Sequence, residues 1–220
     1  MLPKIIHHVV GPKTNEVVDR CLESWQVLKP EGYQFMIWTD AGIEIFLSEN
    51  YPYVYNTFMG ARNHGEAADI ARYIVVYHYG GHYVDWDIHL INPDQFLGLC
   101  ERNPSGYLLC DYEDRESLAS ECFGAIKNEP FLLSVIKDIV SLFDSGLFKD
   151  YRTLWYTGPF RLRDTLKNSK TSQNLLKVKD AFVYDYNEIK EMPEREFTQP
   201  MIHYWLHSWL EKKEEGPAYM

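Results

Sequence analysis

The chain has few cysteines, and none are paired at metal-binding spacing. Four cysteines occur among 220 residues, at Cys21, Cys100, Cys110 and Cys122, and no two of them form a Cys-x-x-Cys motif. This pattern excludes the common zinc-finger spacings and a small scaffold held by disulfides. We expect buried, reduced thiols, which favours a cytoplasmic location.

An excess of positive charge is also missing. The chain carries 22 Lys and Arg against 32 Asp and Glu, and its formal net charge is -10. Binding to a nucleic acid backbone needs a basic surface, so neither DNA nor RNA is an expected partner. A small phosphorylated ligand stays compatible with this charge if a metal cation accompanies it.

Long apolar segments are absent as well. No run reaches the roughly 20 apolar residues of a transmembrane helix. The N-terminal segment turns polar at His7 and His8, without the apolar stretch of a signal peptide. We therefore predict a cytoplasmic protein without a transmembrane segment, with peripheral association at the inner face of the membrane as a further expectation.

Strand-like and helix-like segments alternate along the chain. Apolar runs and alternation predict strands at 4–10, 33–38, 82–91, 107–111, 121–126 and 182–184. Helical periodicity, with its start and stop signals, predicts helices at 17–28, 63–81, 130–143 and 158–166. This alternation predicts an α/β fold with a central mixed, mainly parallel sheet.

The triplet Asp85-Trp86-Asp87 is the main candidate for chemistry. Side chains two residues apart on a strand share a face, so the two carboxylates would lie roughly 7 Å apart, with Trp86 in the core. Such a pair can bind one divalent cation, which can also bind a diphosphate. The motif is short and also fits two solvated acids. Its position at the end of a strand, where ligands of open α/β sheets bind, favours the metal site.

Asp69 and Arg72 lie three residues apart on the predicted helix 63–81 and therefore share a face. Their neighbours are apolar, so the pair could be partly buried and bind sugar hydroxyls or phosphate. An ordinary ion pair fits equally well. His203 could be a third metal ligand, and His8 ends the first strand, where a nucleotide could bind. Both histidines also fit a packing role.

Two further candidates come from the second half of the chain. Trp155, Thr157 and Gly158 combine an aromatic face, a hydroxyl and a tight turn, which could line an acceptor or donor pocket or form a packed loop. Glu121 stands in a predicted strand and could face a reacting sugar carbon. As an isolated acid it also fits a surface position.

Four segments occur in an order that resembles a known family. They are Leu2-Pro3-Lys4-Ile5-Ile6-His7, Trp38-Thr39-Asp40, Ala68-Asp69-Ile70-Ala71-Arg72 and Gly80-Gly81-His82-Tyr83-Val84-Asp85-Trp86-Asp87. This ordered set is similar to glycosyltransferase family 32, the sugar transferases with an Asp-x-Asp motif. That family includes bacterial capsule and lipopolysaccharide enzymes and yeast mannosyltransferases. The resemblance covers residues 2–87 and resumes weakly at 157–159 and 203–209.

The resemblance implies a GT-A fold, a single nucleotide-sugar-binding domain over residues 1–220. Within it, residues 1–100 would bind nucleotide and metal, 101–210 would lie on the acceptor side, and 211–220 would form a flexible tail. It also implies a Mn²⁺ or Mg²⁺ cofactor and retention of the anomeric configuration.

Carried over to this sequence, the resemblance assigns roles to individual residues. Asp85 would contact both the donor ribose and the metal. The metal ligands would be Asp85, Asp87 and His203. Asp69 and Arg72 would hold the hydroxyls of the donor sugar. Ser208 and Trp209 would close over the diphosphate.

Two positions depart from the pattern of the family. Val10 stands where relatives often carry Trp, so the sequence does not indicate an aromatic ring for stacking with the donor base near the first strand. Glu121 stands where relatives often carry Asn beside the reacting carbon, so it could act as a nucleophile or only orient the sugar.

The resulting prediction is a bacterial hexosyltransferase of polysaccharide biosynthesis. It would transfer a hexose or N-acetylhexosamine from a UDP-sugar to a glycan or lipid-linked sugar acceptor. A metal-dependent nucleotidyltransferase or nucleotide-sugar hydrolase also uses paired acids, but it usually needs a phosphate-binding loop that the chain lacks after Val10. A non-catalytic sugar-binding module is a third alternative, although it has no need for two converging acids.

Overall fold

A six-stranded sheet forms the centre of the computed structural model, which describes residues 2–110 and 117–206. Its strands, in sequence order, are β1 (Ile5–Val9), β2 (Gln34–Trp38), β3 (Gly81–Val84), β5 (Gly106–Cys110), β6 (Leu118–Ala125) and β7 (Asn174–Lys177). A separate two-stranded sheet contains β4 (Ile88–Leu90) and β8 (Met201–His203).

The large sheet is mixed and mainly parallel, as the sequence predicts. The strand order is β2-β1-β3-β6-β5-β7. β1 is parallel to β2 and β3, and β5 is parallel to β7. Only β6 runs against its neighbours β3 and β5. The carboxyl ends of β1, β2 and β3 therefore lie at one edge of the sheet.

Helices cover both faces of this sheet. They are α1 (Glu16–Ser24), α2 (Asp40–Asn50), α3 (Pro52–Met59), α4 (His64–Tyr79), α5 (Pro93–Arg102), α6 (Pro130–Asp144), α7 (Thr153–Tyr156), α8 (Pro159–Asn168) and α9 (Val178–Ala181). In the described part of the chain, no helix combines the length and the apolar character needed to cross a bilayer. Short 3-10 helices occupy Trp25–Glu31, Leu147–Asp150 and Glu188–Lys190.

Strand alternation separates the two larger clusters of the core, and a third, small cluster contains Val183, Tyr184 and Ile202. Phe123 of β6 points into a cluster with α4 and α6, whereas its neighbour Cys122 points into a cluster with Trp25 and Phe96. Because both faces of the sheet are buried, the strands carry apolar residues on both sides. The sheet is therefore a rigid support for loops at its edge.

Helix α4, which carries Asp69 and Arg72, begins with a side-chain cap at Asn63. The Asn63 side chain accepts a hydrogen bond from the Glu66 amide at 2.9 Å. The buried Glu66 carboxylate does not return to Asn63, as a capping box would. It accepts instead from the amide and guanidinium of Arg62 and from the Thr153 hydroxyl. The helix ends at Gly80, which has a positive φ of 69°.

The predicted continuous strand at 82–91 is wrong. β3 ends at Val84, and residues 85–87 form a turn before β4. The Ile88 amide closes this turn by donating to the Asp85 carbonyl at 3.1 Å. β4 then pairs with β8 rather than extending the large sheet. The alternation of Asp-Trp-Asp suggested a strand, but pairing with a distant segment decided the local conformation.

Trp86 is therefore not a core residue. It is half-buried and lies over Gly11, where an added Cβ would come within 3.0 Å of the indole ring. The predicted strand 182–184 is reduced to a single bridge between Phe182 and Met201. The predicted tail 211–220 lies outside the described residues.

Candidate active site

A cavity of about 570 Å³ opens at the edge where the parallel strands end. The segment after β1 contributes Val10 and Gly11, and the turn after β3 contributes Asp85, Trp86 and Asp87. Ligands of α/β sheets bind at such an edge because loops from several strands meet there. Residues of α4, β6, the α7–α8 segment and β8 also line the cavity.

Three side chains converge in this cavity as a potential metal site. Asp85, Asp87 and His203 each offer one ligand atom, and these atoms lie within 4.8 Å of one another. The two-stranded sheet explains the convergence, because Ile88 pairs with His203 in its register. Asp87 precedes Ile88 directly, so the pairing brings the imidazole beside the second carboxylate of the turn.

Asp87 and His203 form a closely coupled pair. His203 Nε2 lies 3.3 Å from Asp87 Oδ1, and the Leu206 amide donates to Asp87 Oδ2 at 2.8 Å. Burial alone would raise the pKa of Asp87, but the imidazole and the amide together hold it below its usual value. Burial alone would lower the pKa of His203, and the charge of Asp87 raises it instead.

The three residues fit a divalent cation. Two carboxylates and one imidazole form a mixed oxygen and nitrogen ligand set that suits Mn²⁺ or Mg²⁺. His203 Nδ1 is buried without a hydrogen-bond partner among the described residues, and it lies 3.9 Å from Glu121 Oε1. A buried polar atom in this state is expected where a ligand is to bind.

Arg72 connects the metal site to the rest of the cavity. Its guanidinium lies 3.3 Å from Asp85 Oδ1 and 3.4 Å from Asp69 Oδ1. It donates to the Ser120 carbonyl at 2.8 Å and lies over the Tyr83 ring at 4.6 Å. Asp69 and Arg72, which were predicted to share a helical face, thus both face the cavity. The Arg72 guanidinium lies between the carboxylates of Asp69 and Asp85.

Asp69 is held from the opposite side by the α7–α8 segment. The Thr157 hydroxyl donates to Asp69 Oδ2 at 2.8 Å, and the Thr157 carbonyl accepts from the Tyr73 hydroxyl. Burial raises the pKa of Asp69 to about 6, although Arg72 and Thr157 act against that shift. Thr157 is fully buried and supports Asp69 rather than lining the cavity. A Cβ on Gly158 would lie 3.5 Å from the same carboxylate.

Glu121 lines the cavity beside this network. Its carbonyl accepts a hydrogen bond from the Asp85 amide at 2.8 Å, which fixes the start of the Asp-Trp-Asp turn to β6. Its carboxylate is about one-fifth exposed and faces the metal site through the contact with His203. The structure therefore brings Glu121 together with the Asp85, Asp87 and His203 group.

Other predicted site residues lie elsewhere. His8 is buried, donates from Nδ1 to the Val84 carbonyl at 2.8 Å and packs against Trp25, so it is not part of the cavity wall. Trp155 lies at the surface, with its ring 4.4 Å from the tilted ring of Phe160. Ser208 and Trp209 lie outside the described residues.

Three site residues carried no clear signal in the sequence. Tyr83 donates to Asp85 Oδ1 at 2.5 Å, Ser120 accepts from Arg72, and the Trp205 ring stacks on His203 at 4.0 Å. The alternation of β3 could have placed Tyr83 on the same face as Asp85. The roles of Ser120 and Trp205 depend on segments that are remote in sequence from Arg72 and the Asp-Trp-Asp turn.

The mainly parallel sheet and the Asp-x-Asp turn at its edge make this chain similar to sugar transferases that have an Asp-x-Asp motif and a GT-A-like domain. Residues 15–102 match the family model described as the glycosyltransferase sugar-binding region containing a DXD motif. This match confirms the resemblance that the sequence motifs suggest.

Curated relatives agree with this class. An inositol phosphoceramide mannosyltransferase 1 of Schizosaccharomyces pombe is 30% identical over 73% of this chain and 50% of its own length. Two mannosyl phosphorylinositol ceramide synthases of Saccharomyces cerevisiae, CSH1 and SUR1, are 28% and 30% identical, over 79% and 77% of this chain. The matches cover 45% and 43% of those two proteins, so the chain spans about half the length of these relatives or less.

These relatives are fungal and are named for ceramide glycolipids, so the expected bacterial origin and polysaccharide pathway find no support among them. A solved structure, the PaToxG glycosyltransferase, matches with a TM-score of 0.57 at 15% identity. That match covers 76% of this chain and 69% of the other, and it confirms the GT-A-like fold.

Proposed function

We propose that this protein transfers a sugar from a nucleotide-sugar donor to a hydroxyl group of a glycan or lipid-linked acceptor. The main support is that potential ligand atoms of Asp85, Asp87 and His203 lie within 4.8 Å of one another. The cavity around them also contains Asp69 and Arg72. Two carboxylates and an imidazole can bind a divalent cation, which in turn can bind a diphosphate. The adjacent charged pair, Asp69 and Arg72, can form hydrogen bonds with a sugar.

The residues around the metal site hold its ligands in position. Tyr83 and Arg72 both contact Oδ1 of Asp85, which leaves Oδ2 of that carboxylate for another partner. Asp87 receives the Leu206 amide on one oxygen and His203 beside the other. Such outer contacts fix the orientation of metal ligands and tune their affinity. A bound Mn²⁺ or Mg²⁺ ion would supply positive charge to the diphosphate leaving group.

Asp69 and Arg72 are proposed to orient the donor sugar. Their side chains are buried and anchored by Thr157 and Ser120, so they present polar atoms at fixed positions. A carboxylate can accept from two sugar hydroxyls, and a guanidinium can donate to others. Fixing the sugar in this way brings the anomeric carbon near the acceptor at little further entropic cost.

The proposed reaction exchanges one bond at the anomeric carbon for another. The bond from that carbon to the phosphate oxygen breaks, and the bond to the acceptor oxygen forms. The acceptor proton passes to the departing phosphate. We propose that configuration is retained, either by attack on the face that the diphosphate leaves or through a covalent intermediate on Glu121.

The sequence and the names of the relatives indicate different donor sugars. The sequence suggested a UDP-linked hexose or N-acetylhexosamine, whereas the curated relatives are named as mannosyltransferases. Those relatives also carry inositol phosphoceramide in their names, which favours a lipid-linked acceptor. Mannose donors therefore belong in the first experiment beside galactose and N-acetylhexosamine donors.

The test is an incubation of the protein with UDP- and GDP-linked sugars and Mn²⁺ or Mg²⁺. We expect release of a nucleoside diphosphate together with a new glycoside on an added glycan or lipid-linked acceptor. Magnetic resonance of the product gives its anomeric configuration. Asp87→Asn should abolish turnover, whereas Asp94→Asn, an exposed acid in the first turn of α5, should keep it.

Other outcomes would point elsewhere. Release of pyrophosphate would identify a nucleotidyltransferase, and release of free sugar in the presence of acceptor would identify a hydrolase. Binding without any turnover would identify a sugar-binding module. Full activity in excess chelator would contradict the role given to Asp85, Asp87 and His203.

A further inference from the structure

Aromatic and arginine side chains form a surface at the rim of the cavity. It contains Tyr151, Arg152, Leu154, Trp155, Phe160 and Arg161, and we call it the α7–α8 surface. Tyr151, Leu154 and Trp155 are 38%, 39% and 36% exposed, although large apolar groups usually lie inside. Neither Arg152 nor Trp155 lines the cavity, so the donor site does not explain this surface.

Ring and guanidinium contacts join these side chains into one patch. Arg161 lies over the Tyr151 ring at 5.6 Å and donates to the Trp155 carbonyl at 2.9 Å. The Trp155 and Phe160 rings lie 4.4 Å apart with their planes tilted by 32°, and Arg163 lies over Phe160 at 4.9 Å. These contacts join Tyr151, Trp155, Phe160 and Arg161, with Arg152 and Leu154 as further exposed side chains of the same segment.

The charge of this surface is opposite to that of the molecule. Residues 149–164 contain four lysines or arginines against two acids, Asp150 and Asp164, while the whole chain carries a net charge of -10. Arg163 pairs with the flanking Asp164, but the hydrogen bonds of Arg161 go to carbonyl oxygens of Trp155 and Tyr156 and leave its charge in place. An acidic protein can approach an anionic surface only through a local basic patch of this kind.

We propose that the α7–α8 surface docks the protein onto an anionic lipid membrane. Trp and Tyr favour the headgroup region because their rings are apolar with one polar edge, and arginine attracts anionic headgroups. Leu154 and Pro159 also line the cavity, so this docking would turn the cavity mouth toward the bilayer. The inference deepens the proposed function and rests on it for the lipid-linked acceptor that would arrive from that side.

The test is flotation of the full chain with vesicles of phosphatidylcholine alone and of phosphatidylcholine with phosphatidylserine. We expect binding to the mixed vesicles only, with a decrease as salt is raised. Arg152→Gln should weaken this binding about fivefold, the effect of one basic residue near an anionic surface. Trp155→Ala should weaken it by roughly tenfold through the lost ring.

Matched controls lie on the opposite face of the sheet. Val27→Ala and Lys29→Gln change exposed residues of the 3-10 helix Trp25–Glu31, which packs in the other core cluster. They should leave vesicle binding unchanged, and thermal unfolding should show that all four variants fold. Arg152 is exposed, so its variant keeps the test valid even if Trp155→Ala lowers stability.

Three results would overturn the inference. They are no flotation with mixed vesicles, equal binding to neutral vesicles, and equal loss in the control variants. An absence of flotation would leave the α7–α8 surface for a protein partner. The assay contains neither donor nor metal, so its failure is separate from a failure of the proposed sugar transfer.

Discussion

Tyr83 contacts both Asp85, a proposed metal ligand, and Arg72 beside it, so it could orient the ligand without binding the metal itself. Its hydroxyl donates to Asp85 at 2.5 Å, and its ring supports the Arg72 guanidinium. We expect Tyr83→Phe to keep the ring contact but to remove one of the two contacts of Asp85 Oδ1, so that Arg72 alone holds this oxygen and the carboxylate is less firmly oriented. The affinity for Mn²⁺ should fall about 10-fold or more, as for other outer contacts of metal ligands.

Calorimetric titration with Mn²⁺ measures this change directly. Tyr55→Phe is the matched control, because the Tyr55 hydroxyl donates to Glu44 on α2, outside the cavity. It should bind Mn²⁺ like the unchanged protein. Equal affinities in both variants would show that Asp85 does not need the phenol to be positioned.

Glu121 offers a second change at the scale of one residue. Glu121→Gln keeps the shape of the side chain but removes its charge beside His203. We expect transfer to fall roughly 10²-fold, as when one electrostatic contact to a reacting centre is removed. In Glu121→Ala, which leaves space at this position, a larger loss that added azide restores, with formation of a glycosyl azide, would instead show that Glu121 is the nucleophile.

At the scale of elements, β1 carries two buried histidines that should make stability depend on pH. Burial lowers the pKa of His7 and of His8 to about 4, from 6.5 in the unfolded chain. Between these values the unfolded state binds more protons than the folded state, so the free energy of unfolding falls as pH falls from 6.5 to 4. At pH 5 each histidine accounts for about 2 kcal/mol of this loss.

His8→Asn isolates one of these contributions. The asparagine amide can still donate to the Val84 carbonyl, as His8 Nδ1 does, but it cannot be protonated. Urea unfolding at pH 7 and pH 5 should show a decrease in stability about 2 kcal/mol smaller than in the unchanged protein. The raised pKa of Asp69 acts in the opposite direction, but it contributes to both proteins and cancels in the comparison.

His64→Asn is the control, since His64 is an exposed histidine at the start of α4. It should show the same decrease as the unchanged protein. If His8→Asn also loses as much stability as the unchanged protein between the two pH values, His8 is not held neutral by burial.

Elements with strong local signals could be predicted, whereas those defined by distant partners could not. β1, β2, α4, α6 and α8 follow from apolar periodicity, caps and proline or glycine at their ends. β8 has only three residues and exists because β4 pairs with it. That same pairing changed the predicted strand at Asp85 into a turn, yet it also brought His203 to the carboxylates.

In the candidate site, too, local sequence patterns predict some features, and distant contacts determine the others. Asp85 and Asp87 were found from their spacing, and Asp69 and Arg72 from a shared helical face. Their actual geometry depends on the turn, on Thr157 and on Ser120, which no local pattern connects to them. The sequence therefore predicts which chemical groups are candidates, while tertiary contacts decide which of their atoms face the cavity.

At the scale of the whole molecule, the acidic charge continues into the cavity. Its lining includes the acids Asp40, Asp69, Asp85, Asp87 and Glu121, and the only lysine or arginine side chains among its described residues are Lys13 and Arg72. A nucleoside diphosphate adds further negative charge to this lining. Its binding should therefore depend on a divalent cation.

Thermal unfolding with UDP and GDP, each with and without Mn²⁺, measures this dependence. A nucleotide present at about 100 times its dissociation constant stabilises the folded state by about 2.7 kcal/mol. For a chain of this size, that free energy raises Tm by roughly 5–10 °C. We expect such a rise for one nucleotide with Mn²⁺, and little change when the nucleotide or Mn²⁺ is added alone.

Variants locate the effect at the proposed site. Asp87→Asn should remove the joint rise, because it weakens the cation site without touching Asp69 or Arg72. Asp94→Asn should keep the rise, since Asp94 lies on α5 away from the cavity lining. An equal rise in chelator would mean that Lys13 and Arg72 alone offset the phosphate charge. The converging acids would then have another role than holding a cation for the donor.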